Sequence, residues 1–318
     1  MMRKFKEDPM SKTFRLVVMV LILALLALSV TYLLQYATGA YQISQSDLAL
    51  STLHLENPGQ TKSLTILPLF EAWSQKEPLQ SGHGVSYLIK TDTATLLLDL
   101  GNNETRQEPS PLQHNLQALG LSFDDIDTIV ISHNHPDHVG GFAWWRRRSF
   151  SADSQQEALQ GKTVYLPEAM KHPQTEALIA LEPMQIAPGV VSLGAMPFLE
   201  SFPLGLLDPR GCEQALAIQI EDQGVVLVLG CGHPTLERLV KRAEALFDAP
   251  VIGVVGGLHY LDSTEEDLRP HIEFLQQRNP RLVALSPHDS SGAVLQSFES
   301  AFPDAYRYIV IGHPITLP

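Results

Sequence analysis

The sequence predicts an α/β protein, a four-layer αββα sandwich of two sheets with helices outside, preceded by one transmembrane helix. Three observations carry that prediction. From Leu64 the first half is rich in short apolar runs joined by polar turns; in the second half such runs alternate with helical periods; and far upstream the nineteen residues Leu16 to Leu34 hold no charge. A hairpin-rich half followed by alternating strands and helices buries its apolar faces when two sheets pack together under outer helices.

The N-terminal elements come first. Residues 1–15 hold Arg3, Lys4, Lys6, Lys12 and Arg15 against Glu7 and Asp8, and the apolar run after them approaches the ~20 residues that cross a bilayer. A buried core helix meets the same length test, but one apolar around its whole circumference suits lipid better. The expected organisation is a cytoplasmic segment 1–15, a signal-anchor 16–36, a linker 41–62 and one catalytic domain 63–318. Basic residues before the span and acidic ones after it place that domain on the extracytoplasmic, periplasmic side of a single-pass chain. Thr38-Gly39-Ala40 has the small residues of a signal-peptidase site, and cleavage there would give a secreted protein; the run is long for a cleaved signal, so a retained anchor is expected. Residues 41–62 are polar and irregular, a linker or partly helical stalk, with His54 solvated.

Composition narrows the function. With 18% charged residues and a mean hydropathy of +0.01 the chain is not disordered. Its net charge is −13, and the part beyond residue 40 carries 17 basic and 33 acidic residues, a net −16. Such a surface repels phosphate backbones, so long nucleic acid is not an expected partner. Two cysteines, Cys212 and Cys231, exclude a disulfide-rich scaffold and leave one bridge possible.

Leu64 to Phe70 reads as the first strand. Val85 to Lys90 and Thr95 to Asp99 flank the polar turn Thr91-Asp92-Thr93 and should pair as a hairpin. His83, between Gly82 and Gly84, precedes them, and its glycines suit either a turn or close approach to a ligand. Pro111 to Gly120 places Leu112, Leu116 and Leu119 on one helical face and ends on glycine. Asp127 to Ser132 is a short β-branched strand, and the hexad His133-Asn134-His135-Pro136-Asp137-His138 starts where it stops. Two imidazoles at i and i+2, then Asp-His, converge on one point only if the backbone turns sharply, which Pro136 and Gly140-Gly141 permit. Imidazole and carboxylate suit zinc, and also iron or manganese. A histidine-rich polar loop is the bland alternative. Phe142 to Arg148 reads as a helix ending in three cations, where arginine complements the helix terminus, with an anionic-substrate clamp or a lipid-facing Trp/Arg patch as sharper readings.

With that hexad the chain resembles the metallo-β-lactamase fold superfamily, whose His-x-His-x-Asp-His it carries without a gap. The resemblance implies that His133 and His135 face one metal, that Asp137 and His138 face a second, and that a hydroxide bridges the two. It also implies that Asp99, in Asp99-Leu100-Gly101, braces the metal loop by hydrogen bonds; otherwise it is an ordinary turn aspartate.

Residues 151–210 are less regular: Val164 to Leu166 a strand, Gln174 to Leu181 a helix, Val190 to Leu193 a strand, with His172 unassigned. Beyond them, Glu213 to Ile220 and Gly224 to Leu229 should form a hairpin. Thr235 to Phe247, Glu265 to Gln277 and Ala293 to Phe302 read as helices; Val251 to Val255, Leu282 to Leu285 and Tyr308 to Ile311 read as strands. A metal held by one loop is open on its other side, so further ligands should lie just past later strand ends. His233, His259 and His288 meet that test. Their segments, together with His83-Gly-Val-Ser86, resemble the branch of the superfamily known as dihydropterinyl-methyl-ribofuranosylaminobenzene 5′-phosphate synthase, over residues 64–312. The departures are Gly232, Leu258 and Asp289-Ser290-Ser291-Gly292, of which the last bears on substrate identity. Cys231 stands where many members place a bridging aspartate, and a thiolate is as good a zinc ligand. Alternatively Cys231 is bridged to Cys212 in an oxidising compartment.

The expectation is therefore a membrane-anchored hydrolase with two metal ions, zinc before iron or manganese, that makes water reactive toward a small ester, lactone or phosphoester. The expected ligands are His133, His135, Asp137, His138, His233, His288 and Cys231. Asp137 and His259 are the expected catalytic groups, with Asp99 and His83 supporting the ligands. The alternatives are a metal-stabilised binding or sensor module without turnover, and oxygen or thiol chemistry at iron. The flavin-linked di-iron members usually show a glutamate where this chain has His135, which weighs against the last.

Overall fold

The computed structural model of the chain describes residues 9–74, 77–201, 204–206 and 208–317. It divides into two compact units, Met1–Gln45 with Pro197–Gly211, and Ser46–Met196 with Cys212–Pro318.

The first unit is dominated by α1 (Pro9–Leu48), a single helix through the expected anchor and into the expected linker. At ~1.5 Å per residue it is about 60 Å long, about twice the hydrocarbon thickness of a bilayer. Its apolar side chains, Leu16 and Leu34 among them, are exposed, and it is long and apolar enough to cross a membrane. The hydroxyls of Ser29, Thr31 and Thr38 donate to carbonyls four residues earlier at 2.8–2.9 Å, which satisfies these polar groups within the helix itself. The charged residues 1–8, on which part of the orientation argument rests, lie outside the described residues.

The second unit holds β1 (Leu64–Phe70), β2 (Ser86–Thr91), β3 (Thr95–Leu98), α2 (Pro111–Ala118), β4 (Thr128–Val130), α3 (Phe142–Trp145), β5 (Thr163–Leu166), β6 (Glu176–Ile179), β7 (Met184–Ala187) and β8 (Val190–Ser192). After the hairpin of β9 (Met196–Leu199) and β10 (Arg210–Glu213) come β11 (Leu216–Ile220), β12 (Gly224–Val228), α4 (Leu236–Phe247), β13 (Val251–Gly256), α5 (Glu265–Gln276), β14 (Leu282–Leu285), α6 (Gly292–Ala301) and β15 (Ile315–Leu317). One sheet runs β15-β1-β2-β3-β4-β5-β6 and the other β14-β13-β12-β11-β8-β7.

Alternation along the strands builds the layers. Tyr87, Ile89, Leu96, Leu98 and Val130 of the first sheet share a core with Leu216, Ile218, Val226 and Val228 of the second. The intervening Leu88, Leu97, Ile129 and Val164 point the other way, onto Leu112 and Leu116 of α2. In the second sheet Val225 and Leu227 turn outward against Leu239, Val240 and Ala243 of α4. A side-chain period of two thus produces three apolar interfaces, and three interfaces define four layers, as expected.

Three expected elements differ. Gln174 to Leu181, rich in helix formers, instead supplies β6, which extends the open edge of β5 in parallel register; pairing overrides propensity in so short a segment. Tyr308 to Ile311 is not a strand: Ile311 and Gly312 donate to the carbonyls of Trp73 and Pro68, outside any ladder, and β15 is the last strand. The helix begun at Phe142 stops at Trp145, where Arg146 and Arg147 lie over the rings of Phe142 and Trp144, and Arg148 pairs with Glu168 at 2.5 Å.

Topology decides where the loops go. β3, β4, β5 and β6 are parallel, so the segments after β3 and β4 leave the same edge of their sheet. β12, β13 and β14 are also parallel, so the segments carrying His233, His259 and His288 share one edge of theirs. Loops at the carboxyl ends of parallel strands are where α/β folds gather functional groups.

Outside that edge, α4 and α5 are joined by His271, whose Nδ1 lies 2.5 Å from Glu237 Oε1. The hydrogen bond raises the His271 pKa above its usual 6.5 despite partial burial. Burial would raise Glu237, but the bond from His271 outweighs it and lowers that carboxyl below 4.5. The pair's contribution is lost as pH falls through the depressed Glu237 pKa, and lost again as pH rises through the raised His271 pKa. It is therefore greatest between pH 4.5 and 6.5. Glu237→Gln is expected to cost about 0.5–1 kcal/mol near pH 6 and progressively less as pH rises beyond 6.5, read from denaturant midpoints of the two chains. A cost that does not fall as pH rises would contradict this account.

Candidate metal centre

The hexad begins two residues past the buried Ile131, whose N–H donates to the Tyr165 carbonyl of β5 at 3.0 Å, so Ser132 and His133 enter the site directly from backbone tied to the sheet. Asp99, which follows β3, accepts from the Ser132 N–H and hydroxyl at 2.6 Å each and meets His138 Nδ1 at 2.7 Å. Further along, Gly140 has φ +88, and a Cβ there would lie 1.8 Å from the Ser151 carbonyl oxygen, so only glycine lets the loop pass the neighbouring chain.

From the opposite sheet, the segment after β12 brings Cys231 and His233, and the segment after β14 brings His288. The Cys231 Sγ lies 3.1 Å from His138 Nε2 and 3.3 Å from His288 Nε2. The ring of His233 is 4.7 Å from that of His133 and 5.0 Å from that of His135. Asp137 Oδ2 is 3.7 Å from His138 Nε2 and 4.0 Å from His288 Nε2. The ligand atoms fall into groups within 4.8 Å of one another that could hold a metal ion: His133, His135 and His233; Asp137, His138 and His288; with Cys231 beside His133 and His138 or beside His288 and Asp289. His133, His138, Cys231 and His288 are buried, whereas His135, Asp137 and His233 are half-buried and form the open side. His83 is exposed, with Nε2 3.1 Å from Asp137 Oδ2. His259 is exposed at the rim, its ring 4.9 Å from that of His233. It is a neighbour of the cluster and belongs to none of these groups among the described residues.

Proton accounting says which nitrogen of each imidazole faces inward. Ionised Asp99 only accepts, so His138 donates from Nδ1. The Ser132 hydroxyl gives its one proton to Asp99 and accepts from His133 Nδ1 at 2.9 Å. His233 donates from Nδ1 to Glu213 Oε2 at 2.7 Å. The Ser286 hydroxyl, bonded to Glu71, meets His288 Nδ1 at 2.6 Å. All four rings consequently turn an Nε2 lone pair into the cluster. His133 Nε2 is buried with no hydrogen-bond partner, and the single thiol proton of Cys231 serves at most one of the two Nε2 atoms beside it. Nε2 atoms that converge on one volume beside a carboxylate and a thiol fit a metal cation.

The electrostatics agree. Burial, followed by Asp289, Asp137, Glu213 and Asp99, pushes the Cys231 thiol well above its ordinary pKa, so a thiolate there needs a compensating positive charge. Burial would raise Asp137, but His138, His83 and His288 outweigh it and hold the carboxylate well below the usual range. Burial acts likewise on Glu213, where the His233 ring and the N–H groups of Gly232 and His233 bring it down to about 2.

Several supporting residues were not legible in the sequence. Glu71, Ser132, Glu213, Ser286 and Asp289 are all buried; Glu71 and Ser286 directly follow a strand, Glu213 closes one, and Ser132 and Asp289 lie in the loops after β4 and β14. The available signal was a carboxylate abutting an apolar strand, as in Leu69-Phe70-Glu71; such residues usually face solvent, so it passes unnoticed. His172, unassigned from sequence, stacks on Phe150 away from the cluster.

A family model described as the metallo-beta-lactamase superfamily matches residues 80–151. The 7,8-dihydropterin-6-methyl-4-(beta-D-ribofuranosyl)-aminobenzene-5′-phosphate synthase of Methanocaldococcus jannaschii is 26% identical over 260 residues, 70% of this chain and 86% of that one. Among solved structures, Tm1679, described as a metal-dependent hydrolase of the beta-lactamase superfamily, aligns with a TM-score of 0.58 at 20% identity, covering 79% of this chain and 98% of its own. The metallo-beta-lactamase fold protein YhfI from Bacillus subtilis aligns with a TM-score of 0.51 at 10% identity, covering 80% and 100%.

Both cysteines are free: Cys231 faces the imidazoles, and the Cys212 thiol points 3.6 Å from the Pro167 carbonyl oxygen. Thiol titration of the denatured chain without reductant is therefore expected to count two thiols per chain, and a count of zero would restore the bridge.

Proposed function

This chain has the metallo-β-lactamase fold, and from the imidazoles, carboxylate and thiol gathered at one edge of its two sheets we propose that it is a metal-dependent hydrolase acting on a small ester, lactone or phosphoester. The observation that carries the reading is the set of four inward Nε2 lone pairs, one of them on a buried nitrogen with no hydrogen-bond partner. A bound metal ion satisfies them together.

We assign one zinc position to His133, His135 and His233 and a second to Asp137, His138 and His288, with Cys231 within reach of either. A zinc pair bound there supplies Lewis acidity and lowers the pKa of coordinated water toward ~7. The protein does the rest. Asp99, Glu213 and the Ser286–Glu71 pair hold the imidazoles in one tautomer and orientation. Asp137, held ionised and in contact with His83, accepts a hydrogen bond from attacking water and keeps it aligned. His259 stands at the exposed rim, where it can pass a proton to a departing group without leaving its loop. The net negative surface disfavours polyanionic substrates and favours small ones.

The synthase relative favours a second reading, group transfer on a phosphorylated substrate through the same residues. Product analysis in isotopic water separates the two, since only hydrolysis places the label in the product.

For α1 we propose a retained single-pass anchor with the catalytic unit extracytoplasmic. Its uniform apolar surface and the basic residues ahead of it support that reading. Mass spectrometry of the membrane fraction is expected to find the chain intact from its N-terminus, and a mature chain starting at Tyr41 would overturn the anchor.

Metal analysis of the purified chain is expected to return about two zinc ions, with chelation removing both metal and turnover. In a screen of phosphodiester, lactone and β-lactam substrates, His135→Ala is expected to lower kcat at least about a hundredfold. A well-folded chain that takes up no metal on incubation with zinc would sink the enzyme reading.

A further inference from the structure

We propose that Glu213 is the positioning residue of the second-sheet half of the centre: its carboxylate grips the Cys231-Gly232-His233 turn and thereby aims the Cys231 thiol and the His233 Nε2. The inference rests on the metal reading above and adds to it a residue that touches neither metal nor substrate.

Glu213 closes β10 and is fully buried. The next residue leaves the ladder, since Gln214 N donates to the Ser132 carbonyl at 2.8 Å, and β11 begins only at Leu216. That interruption turns the Glu213 side chain into the space under the loop after β12. There it accepts four N–H groups. Oε1 takes Cys231 N at 3.0 Å and Gly232 N at 2.9 Å; Oε2 takes His233 N at 2.9 Å and His233 Nδ1 at 2.7 Å.

Three of the four donors are successive backbone N–H groups. Gly232 between them has φ +67, and alternation of this kind curls consecutive N–H groups around an anion. A Cβ at position 232 would come within 2.5 Å of the Gly257 carbonyl oxygen, so the turn is possible only with glycine. The turn and the carboxylate are therefore built for each other. Because Oε2 can only accept, Nδ1 of His233 carries the proton and Nε2 offers its lone pair. One carboxylate thus sets the backbone of Cys231 and both the backbone and the tautomer of His233.

A glutamine at 213 keeps the volume but has one acceptor oxygen and an amide that only donates, so two of the four N–H groups lose their acceptor. An aspartate keeps both oxygens but is one methylene short, so it can hold the turn only by drawing it away from the other loops.

Cobalt(II) reports the outcome without reference to turnover. The full chain in detergent micelles is loaded with cobalt, and the thiolate-to-cobalt absorption, the d–d bands and chelator competition are recorded for the wild type, Glu213→Gln and Glu213→Asp, with far-UV circular dichroism as the control for folding. Glu213→Gln is expected to lose the thiolate band and to bind one of the two cobalt ions about 10–100-fold more weakly, with unchanged secondary structure. Glu213→Asp is expected to fall between it and the wild type. Retention of the wild-type band and affinity in Glu213→Gln overturns the proposal. Should Glu213→Gln not fold, Glu213→Asp decides: an altered spectrum sustains the proposal and a wild-type spectrum overturns it. A wild-type chain that binds no cobalt defeats the metal reading itself, an outcome distinct from the failure of Glu213.

Discussion

Asp99, Glu213 and Glu71 each sit fully buried behind an imidazole, and the geometry of the site depends on the hydrogen bonds they accept. Removing an ionised carboxylate from water costs several kcal/mol, which only directed N–H and O–H donors can offset. Asp99 and Glu213 reach their histidines directly. Glu71 acts on His288 through the Ser286 hydroxyl, and Asp99 acts on His133 through that of Ser132. Two serines and three carboxylates thus impose one tautomer on four rings. The same bonds that stabilise the buried acids in the folded chain point every remaining lone pair the same way.

That arrangement stores an electrostatic demand. Cys231 lies among Asp289, Asp137, Glu213 and Asp99, and its thiol is pushed strongly toward the protonated form. Among the described residues the imidazoles answer these acids: despite burial, Asp99 and Asp137 raise the His138 pKa, and Asp289, Glu71 and Asp137 raise that of His288 to about 9, so protons hold these rings until a stronger cation displaces them. A divalent cation meets both requirements together, the converging Nε2 atoms and the excess of negative charge. This is why the donor set supports a metal centre more firmly than any one of its residues does.

Sheet topology explains how residues more than a hundred positions apart come together. Parallel pairing of β3 with β4, and of β12 with β13 and β14, forces their outgoing loops to one edge of each sheet. The shared core of Tyr87, Leu98, Val130, Ile218 and Val228 locks the sheets face to face, so the two sets of loops meet across that edge. Departures from regularity fall beside the cluster, at the break between Glu213 and Leu216 and at Gly140 and Gly232.

Much of this was present in the order of residues alone. Period-two alternation specified the sandwich, the charge-free run specified a helix fit for a membrane, and the hexad with the later strand-end histidines named the rings of His133, His135, His138, His233 and His288 that the fold brings together, whereas His259 stops at the rim. Local pattern failed where pairing was decisive, at Gln174 to Leu181, which became β6, and at Tyr308 to Ile311, which never joined a ladder. It also left the two cysteines ambiguous, since adjacency along a hairpin does not say which way a thiol points. Glu71, Glu213 and Ser286 carry no mark of their own, because a buried acid and a solvated one look the same in a sequence until the fold supplies its donors. Chemical identity is written residue by residue; desolvation, tautomer and convergence arise only when distant segments share a volume, and those belong to the tertiary structure.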